Sequence, residues 1–308
     1  MKYFVTGGSG FIGSYLVDYL IKDHQVVVYD NLSSGSKNFI SQHLKKNTFK
    51  FIKGDLLDKK FLEKSIKGAD FVFHLAANPD IQLSVAKPDL DFQQGTVATF
   101  NLLEAMRKNK IKKIAFSSSS TVFGEPKIMP TPEDYAPLLP ISPYGASKLA
   151  CEGLISAYCH LYDFQAWVFR FANVVGPRLT HGAIYDFIKK LERNKRKLEV
   201  LGNGRQKKSY IHTKDCIESM LFCLKHSREK LNLFNLGTTD RITVKDVAQI
   251  LLKEMGLNKT KIIYTGGKRG WEGDVPQMLL DITRIKKLGW RPKYNSRQAV
   301  VQSIKENL

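Results

Sequence analysis

The 308-residue sequence predicts an α/β protein: a doubly wound parallel sheet followed by a smaller C-terminal α/β lobe. Three observations carry that prediction. The glycine run Thr6-Gly7-Gly8-Ser9-Gly10-Phe11-Ile12-Gly13 joins an apolar stretch to a helix-like one. Apolar runs of strand length alternate with amphipathic segments through the first half of the chain. Beyond about Phe171 that rhythm breaks at Gly176-Pro177, Gly182, Gly202-Asn203-Gly204 and Gly266-Gly267.

Tyr3–Val5 reads as the first strand, and the glycines follow it directly. Glycine in a tight turn admits positive φ and lets backbone N–H groups approach an anion. The helix starting near Phe11 aims its positive end at the same place. Strand, glycine turn and helix in that order mark a pyrophosphate site for a dinucleotide. Gly7, Gly10, Phe11 and Ile12 are therefore candidate cofactor residues, on a Rossmann-type sheet. Gln25–Tyr29 reads as a second buried strand, with Asp30 at its C-terminal end. A carboxylate there accepts hydrogen bonds from ribose hydroxyls and repels a 2′-phosphate, which favours NAD over NADP. Asn31 and Ser33, in the turn that follows, join it as candidates.

Further strands are expected at Phe49–Ile52, Phe71–His74, Lys113–Phe116 and Ala166–Phe169. Helices are expected near Phe11–Ile21, Lys59–Ile66, Phe92–Arg107 and Tyr144–Tyr162. Strands that are apolar throughout imply a parallel sheet covered on both faces. Ligands bind such sheets at the carboxyl ends of the strands. Asp30, Asp55, Ala76 and the serines after Phe116 all fall at such ends, so they converge on one crevice. Residues 1–173 form the expected cofactor domain and 174–308 the substrate lobe. Within the latter, 209–238 is expected to return to the sheet, with Tyr210–His212 and Leu233–Leu236 as extra strands.

The chain is 43% hydrophobic and 25% charged, as in ordinary globular proteins. No secretion signal and no run of membrane-spanning length is visible, so a cytoplasmic location is expected. Cys151, Cys159, Cys216 and Cys223 show no metal-ligand spacing and read as reduced core thiols, with no metal site expected. A net charge of +19 fits nucleic acid, an acidic membrane surface or a polyanionic small substrate. Most of the lysines are scattered, as on a solvated face, while Arg193–Lys197 and Lys207-Lys208 are compact clusters.

Tyr144 and Lys148 stand four residues apart, on one face of a helix. A phenol titrates at about 10, and a nearby ammonium together with a positive nicotinamide favours the phenolate. That would make Tyr144 a base usable near neutral pH. A hydroxyl from Ser117-Ser118-Ser119-Ser120-Thr121, at a strand end, completes the set.

These residues resemble the extended short-chain dehydrogenase/reductase family, and within it the nucleotide-sugar 4-epimerases of the UDP-glucose type. The resemblance runs through Thr6–Gly13, Asp30-Asn31-Leu32, Gly54-Asp55-Leu56, His74-Leu75-Ala76-Ala77, Phe116–Gly124, Tyr144–Lys148, Arg170–Arg178 and Asp215. It implies Ser119, Tyr144 and Lys148 as the catalytic residues. Asp55 and Leu56 would hold the adenine. Leu75, Ala76, Ala77 and Ser117 would line the cofactor, and Ser120 and Thr121, with Ser119, the sugar. Asn173 would contact the diphosphate, and Leu201, in Leu198–Gly202, the base. Lys208 stands where the family carries a phosphate-binding arginine. Trp271 takes the place of a second arginine, whose charge Arg269 would supply, and Asp274 would meet the nucleotide ribose.

Three departures from the family pattern stand out. Gly95 replaces a cofactor-side asparagine, and Phe123 replaces a tyrosine near the sugar. Ser120-Thr121 replaces the Asp-Glu pair of the dehydratases, which argues against water elimination. The resemblance implies NAD-dependent, reversible C4 epimerisation of a UDP-hexose and a homodimer. Neighbouring readings are epimerisation of a UDP-N-acetylhexosamine, or epimerisation or decarboxylation of UDP-glucuronate. A basic nucleic-acid-binding member without turnover is a further class. His74 reads as a core group, His212 as ordering the helix start at Thr213, and His181 as a candidate at the diphosphate.

Overall fold

The computed structural model describes residues 1–80 and 83–308. The first half alternates as read: β1 (Lys2–Thr6), α1 (Phe11–Leu20), β2 (Gln25–Asp30), β3 (Phe49–Lys53), α2 (Lys59–Ser65) and β4 (Phe71–His74). Short helices α3 (Leu83–Ala86) and α4 (Pro88–Asp91) then lead through a π-helical turn, Phe92–Val97, into α5 (Ala98–Lys108). β5 (Lys113–Ser119), a 3₁₀ turn (Ser120–Phe123), α6 (Pro143–Tyr162) and β6 (Gln165–Phe171) follow.

The second half comprises β7 (Asn173–Val175), α7 (Ala183–Arg193), β8 (Lys197–Val200), β9 (Lys207–Lys208), β10 (Tyr210–His212) and α8 (Thr213–His226). It continues with β11 (Leu231–Leu236), β12 (Ile242–Thr243), α9 (Val244–Glu254), β13 (Lys261–Tyr264) and β14 (Gln277–Met278). Helices α10 (Thr283–Lys287) and α11 (Ser296–Asn307) end the chain.

Seven parallel strands form the main sheet in the order β11-β6-β5-β4-β1-β2-β3. Both faces are buried, which is why the strands read as unbroken apolar runs. Val5, Val26 and Val28 pack with Leu16 and Val17 of α1 and Ile217 and Met220 of α8. Their neighbours Phe4, Val27 and Tyr29 pack on the opposite face with Leu62, Leu102 and Ile155 of α2, α5 and α6. A third core, around Phe187, Leu198, Val247 and Val300, belongs to the second half.

Two expectations are corrected. Leu231–Leu236 does return as an edge strand beside β6, but Tyr210–His212 does not join that sheet. It pairs with β7 instead, because β11 already occupies the free edge of β6. The Tyr210 N–H side is also held by Ser296 Oγ at the start of α11 (3.1 Å). The helix expected over Phe92–Arg107 is interrupted by the π turn, a distortion often found near functional sites. Gly95 lies in that turn, and a Cβ there would come within 2.1 Å of Ser147 Oγ.

Among the described residues no helix is long and apolar enough to cross a membrane, and no cluster of His, Cys, Asp and Glu could hold a metal. All four cysteines are buried free thiols.

Candidate functional site

The glycine turn sits where β1 ends against the end of β4. Gly7 has φ +69°, and a Cβ there would come within 2.6 Å of the Ala76 nitrogen. A Cβ on Gly13 would lie 2.1 Å from the Gly7 carbonyl oxygen, so only glycine lets α1 close onto the turn. Gly10 is the N-cap of α1 and offers no side chain to its first-turn amides, which Phe11 and Ile12 help provide. No acidic residue opposes an anion in that turn. The cradle fits a pyrophosphate.

Asp30 is buried at the end of β2, and its carboxylate accepts from the N–H groups of Ser9 (2.9 Å) and Leu32 (2.8 Å). Burial pushes its titration above the ordinary carboxylate range, and those two donors pull it back. Asn31 Nδ2 donates to Asp55 Oδ2 (2.9 Å), while Asn31 Oδ1 accepts from the Ser33 amide (2.9 Å). Asp55 also accepts from the Leu57 amide, and the carbonyl of buried Leu56 is held by Asn101 (3.0 Å). Asp30, Asn31, Ser33, Asp55 and Leu56 thus make one connected rim. Leu75, Ala76 and Ala77 run beside the turn, with the Leu75 amide donating to the Thr6 carbonyl at 3.1 Å.

Tyr144 and Lys148 occupy the first two turns of α6. Pro143 opens the helix, and Ser142 caps it by accepting from the Gly145 amide (3.1 Å). Lys148 Nζ donates to the Ser117 carbonyl (2.7 Å) and lies 4.7 Å from the Phe116 ring centroid and 5.7 Å from that of Tyr144. Burial pushes the Lys148 ammonium down to about 8. Ser119 Oγ accepts from the amide (3.2 Å) and hydroxyl (3.0 Å) of Thr121, and its side chain favours the ionised Tyr144. Ser120 and Thr121 open the 3₁₀ turn beside it.

The expected phenolate is not supplied by the chain alone. Burial raises the Tyr144 titration above its ordinary value, and the Asp91 carboxylate raises it further. Lys148 is spent on Ser117 and does not offset this.

On the substrate side, Lys208 pairs with Asp274, and Asp274 Oδ2 also accepts from the Gly270 amide (3.0 Å). Arg269 donates to the Asp274 carbonyl (2.5 Å) and to Glu125 Oε2 (2.9 Å), reaching the loop that follows β5. Leu201 packs near Gly270, and its carbonyl accepts from Gln206 (3.2 Å). Asn173, half-buried, donates to the Ser209 carbonyl (3.2 Å) beside this group. Lys208, Arg269 and Asp274 are therefore brought together, with the Asp274 carboxylate turned inward onto Lys208. Trp271 lies over Gly273 instead of adding charge. Phe123 is buried, its ring 4.7 Å from the Arg170 guanidinium.

His74 is a core group as read: its ring nitrogens meet Thr6 (2.7 Å) and Thr99 (2.9 Å), and burial pushes it down to about 3. His212 Nδ1 accepts from the Lys214 amide and so orders the start of α8 (3.3 Å). His181 is exposed and bonded to its neighbour Thr180. The reading from sequence missed the Glu152–Arg170 pair below the site, in which Arg170 donates to both carboxylate oxygens (3.0 and 2.7 Å). An arginine inside the apolar strand Ala166–Phe171 was its only signal.

Comparison with known proteins agrees with this architecture. The model of the family described as GDP-mannose 4,6 dehydratase matches residues 4–303. A putative UDP-glucose 4-epimerase of Methanocaldococcus jannaschii is 35% identical over 97% of this chain and 96% of its own. A solved UDP-galactose 4-epimerase is 41% identical, with a TM-score of 0.89 over 99% of this chain and 98% of that one. UDP-glucuronic acid 4-epimerase from Bacillus cereus, solved with UDP-glucuronic acid and NAD, is 27% identical with a TM-score of 0.90, covering 99% and 98%. The chain belongs to the GDP-mannose 4,6-dehydratase family of extended short-chain dehydrogenases/reductases, alongside relatives that are UDP-sugar 4-epimerases.

Proposed function

We propose that the protein is an NAD-dependent 4-epimerase of a UDP-hexose, acting reversibly on UDP-glucose and UDP-galactose. The observation that carries this reading is the meeting of Ser119, Tyr144 and Lys148 at the carboxyl edge of the sheet that also carries the glycine turn. The UDP-sugar relatives support the substrate class.

Gly7, Gly10, Phe11 and Ile12 hold the pyrophosphate of NAD. Asp30, with Asn31 and Ser33, takes the adenosine ribose, and Asp55 and Leu56 the adenine. Leu75, Ala76, Ala77 and Ser117 line the remainder. When bound, NAD supplies a reversible hydride acceptor and a positive ring. Tyr144 takes the proton of the C4 hydroxyl, and Ser119 hydrogen-bonds the same oxygen. Lys148, anchored on the Ser117 carbonyl, binds the nicotinamide ribose. Ser120 and Thr121 face the sugar, and Leu201 the base. Asn173, Lys208 and Arg269 hold the diphosphate while the 4-keto sugar turns over, and Asp274 sets the position of Lys208. Ser120-Thr121 offers no acid–base pair for dehydration.

A UDP-hexuronate is the second reading, favoured by the Bacillus cereus relative. Exposed Phe92, Phe100 and Leu161 on the helical layer support pairing with a second copy. The test incubates purified protein with UDP-galactose, UDP-glucose and UDP-glucuronate, and with the corresponding dTDP- and GDP-hexoses, and follows C4 inversion by NMR. Inversion of a UDP-hexose is expected. Failure across UDP, dTDP and GDP hexoses sinks the reading.

A further inference from the structure

Arg178 lies in the second half of the chain yet places its guanidinium on the glycine-turn helix. It follows Gly176-Pro177 just beyond β7, with φ +63°, a conformation unfavourable for a residue bearing a side chain. The turn is fixed from behind. The Gly176 carbonyl accepts from Asn307 Nδ2 (2.8 Å) and Ser303 Oγ (3.3 Å), both on α11. A Cβ on Gly176 would come within 2.2 Å of Thr213 Oγ1, so the turn also packs tightly on the start of α8.

From that base the guanidinium reaches across to α1. It pairs with Asp18 Oδ2 (2.9 Å), donates to Ser14 Oγ (3.0 Å) and lies 4.4 Å from the Tyr15 ring centroid. Asp18 in turn meets His43 Nε2 (2.6 Å) and accepts from Gln42 Nε2 (2.9 Å), both on the 3₁₀ helix Lys37–His43. Phe39 of that helix lies 5.9 Å from the same guanidinium. The segment before it is tied to the glycine turn by the Ser36 amide on the Ser9 carbonyl (2.9 Å). That segment begins at the Asp30 rim, where the ribose is expected. One side chain therefore joins the substrate lobe to the pyrophosphate helix and, through Asp18, to the adenosine wall.

We propose that Arg178 is a positioning residue for cofactor retention, holding α1 and the 31–43 segment in the geometry that keeps NAD bound between turnovers. The proposal rests on the NAD part of the reading above and is independent of the sugar. An enzyme that regenerates its cofactor in every cycle has use for such a tie, because exchange is not part of the reaction.

The experiment measures release of NAD from loaded protein, by displacement into excess unlabelled NAD, beside the melting temperature of the cofactor-free chain. Variants are Arg178→Met, Arg178→Lys, Asp18→Asn and the double Asp18→Asn/Arg178→Met. Release is expected to quicken about 10- to 100-fold in Arg178→Met and in Asp18→Asn, in line with losing charged hydrogen bonds. Arg178→Lys restores part of it, since lysine keeps the charge but not the fork. The double variant releases no faster than Arg178→Met alone, because both changes cut one tie. Unchanged release in both single variants overturns the proposal. So does faster release that merely follows a fall in melting temperature, with no rescue by Arg178→Lys. A wild-type chain that takes up no NAD sinks the cofactor reading itself, a different outcome from unchanged release.

Discussion

Lys148 Nζ donates to the main-chain carbonyl of Ser117 at 2.7 Å, so the ammonium is anchored to the strand that carries Ser119. Its distance from the Tyr144 ring centroid, 5.7 Å, leaves the phenol to be governed by burial. The tyrosine titrates above its ordinary value in the chain alone, so acting as the proposed base requires a bound positive ring to bring it down. A near-ultraviolet titration comparing the wild type with Tyr144→Phe checks this. Without cofactor, the Tyr144 contribution stays phenolic through about pH 10. Loading with NAD brings its phenolate band to lower pH, and reduction to NADH removes it. A phenolate at neutral pH in the cofactor-free chain would contradict the account.

Tyr144→Phe removes the proposed proton acceptor and keeps the ring. A loss of about 10²- to 10⁴-fold in kcat is expected, the usual range for a positioned acid–base group. Binding of the UDP-sugar should change no more than a few-fold. Lys148→Met should lower kcat as well and weaken NAD binding. Steady-state kinetics beside calorimetric binding separates these effects. A Tyr144→Phe enzyme that keeps its rate removes Tyr144 from the chemistry.

His74 gives a pH dependence of stability with a definite sign. Its folded titration is pushed down to about 3 by burial, against 6.5 in the unfolded chain. Between those values the unfolded chain binds a proton that the folded one refuses. Its contribution is therefore lost as pH falls below 6.5, by about 2 kcal/mol between pH 7 and pH 5. Urea unfolding at the two pH values measures it, with His74→Gln as the reference. Equal pH dependence in the two proteins would exclude His74 as the source.

Glu152 and Arg170 form a buried fork beneath the site, to which Ser118 Oγ adds a hydrogen bond (2.5 Å). Arg170 also donates to the Glu133 carbonyl (2.9 Å). Removing one partner of such a pair costs about 3–5 kcal/mol, because a buried charge is left alone. Arg170→Met should show that loss in denaturant unfolding, and adding Glu152→Gln should recover a large part of it. Additive losses in the double variant would mean that the two residues are not coupled.

What was legible in the sequence is what local spacing defines. Gly7, Gly13, Asp30, Tyr144 and Lys148 each sit at a fixed offset from a strand end or a helix start, so pattern alone places them. Strands buried on both faces read as unbroken apolar runs, and that made the sheet visible. The partners of these residues were not legible. Lys208 with Asp274, Asn31 with Asp55, and Arg178 with Asp18 are joined by folding across long stretches of chain. Tyr210–His212 reads as a strand, but three buried residues carry no information about which edge is free, and it pairs with β7 rather than with the main sheet. The close approach of Gly95 to Ser147 in the π turn is not legible, because Ser147 lies on another helix.

In the proposed C4 inversion the hydrogen that leaves C4 would return to C4, while Tyr144 would carry only the hydroxyl proton. The most direct test is epimerisation of UDP-galactose deuterated at C4, in ordinary water, with the product read by NMR. The account predicts UDP-glucose that keeps the deuterium at C4. Product with C4 hydrogen drawn from solvent would contradict it.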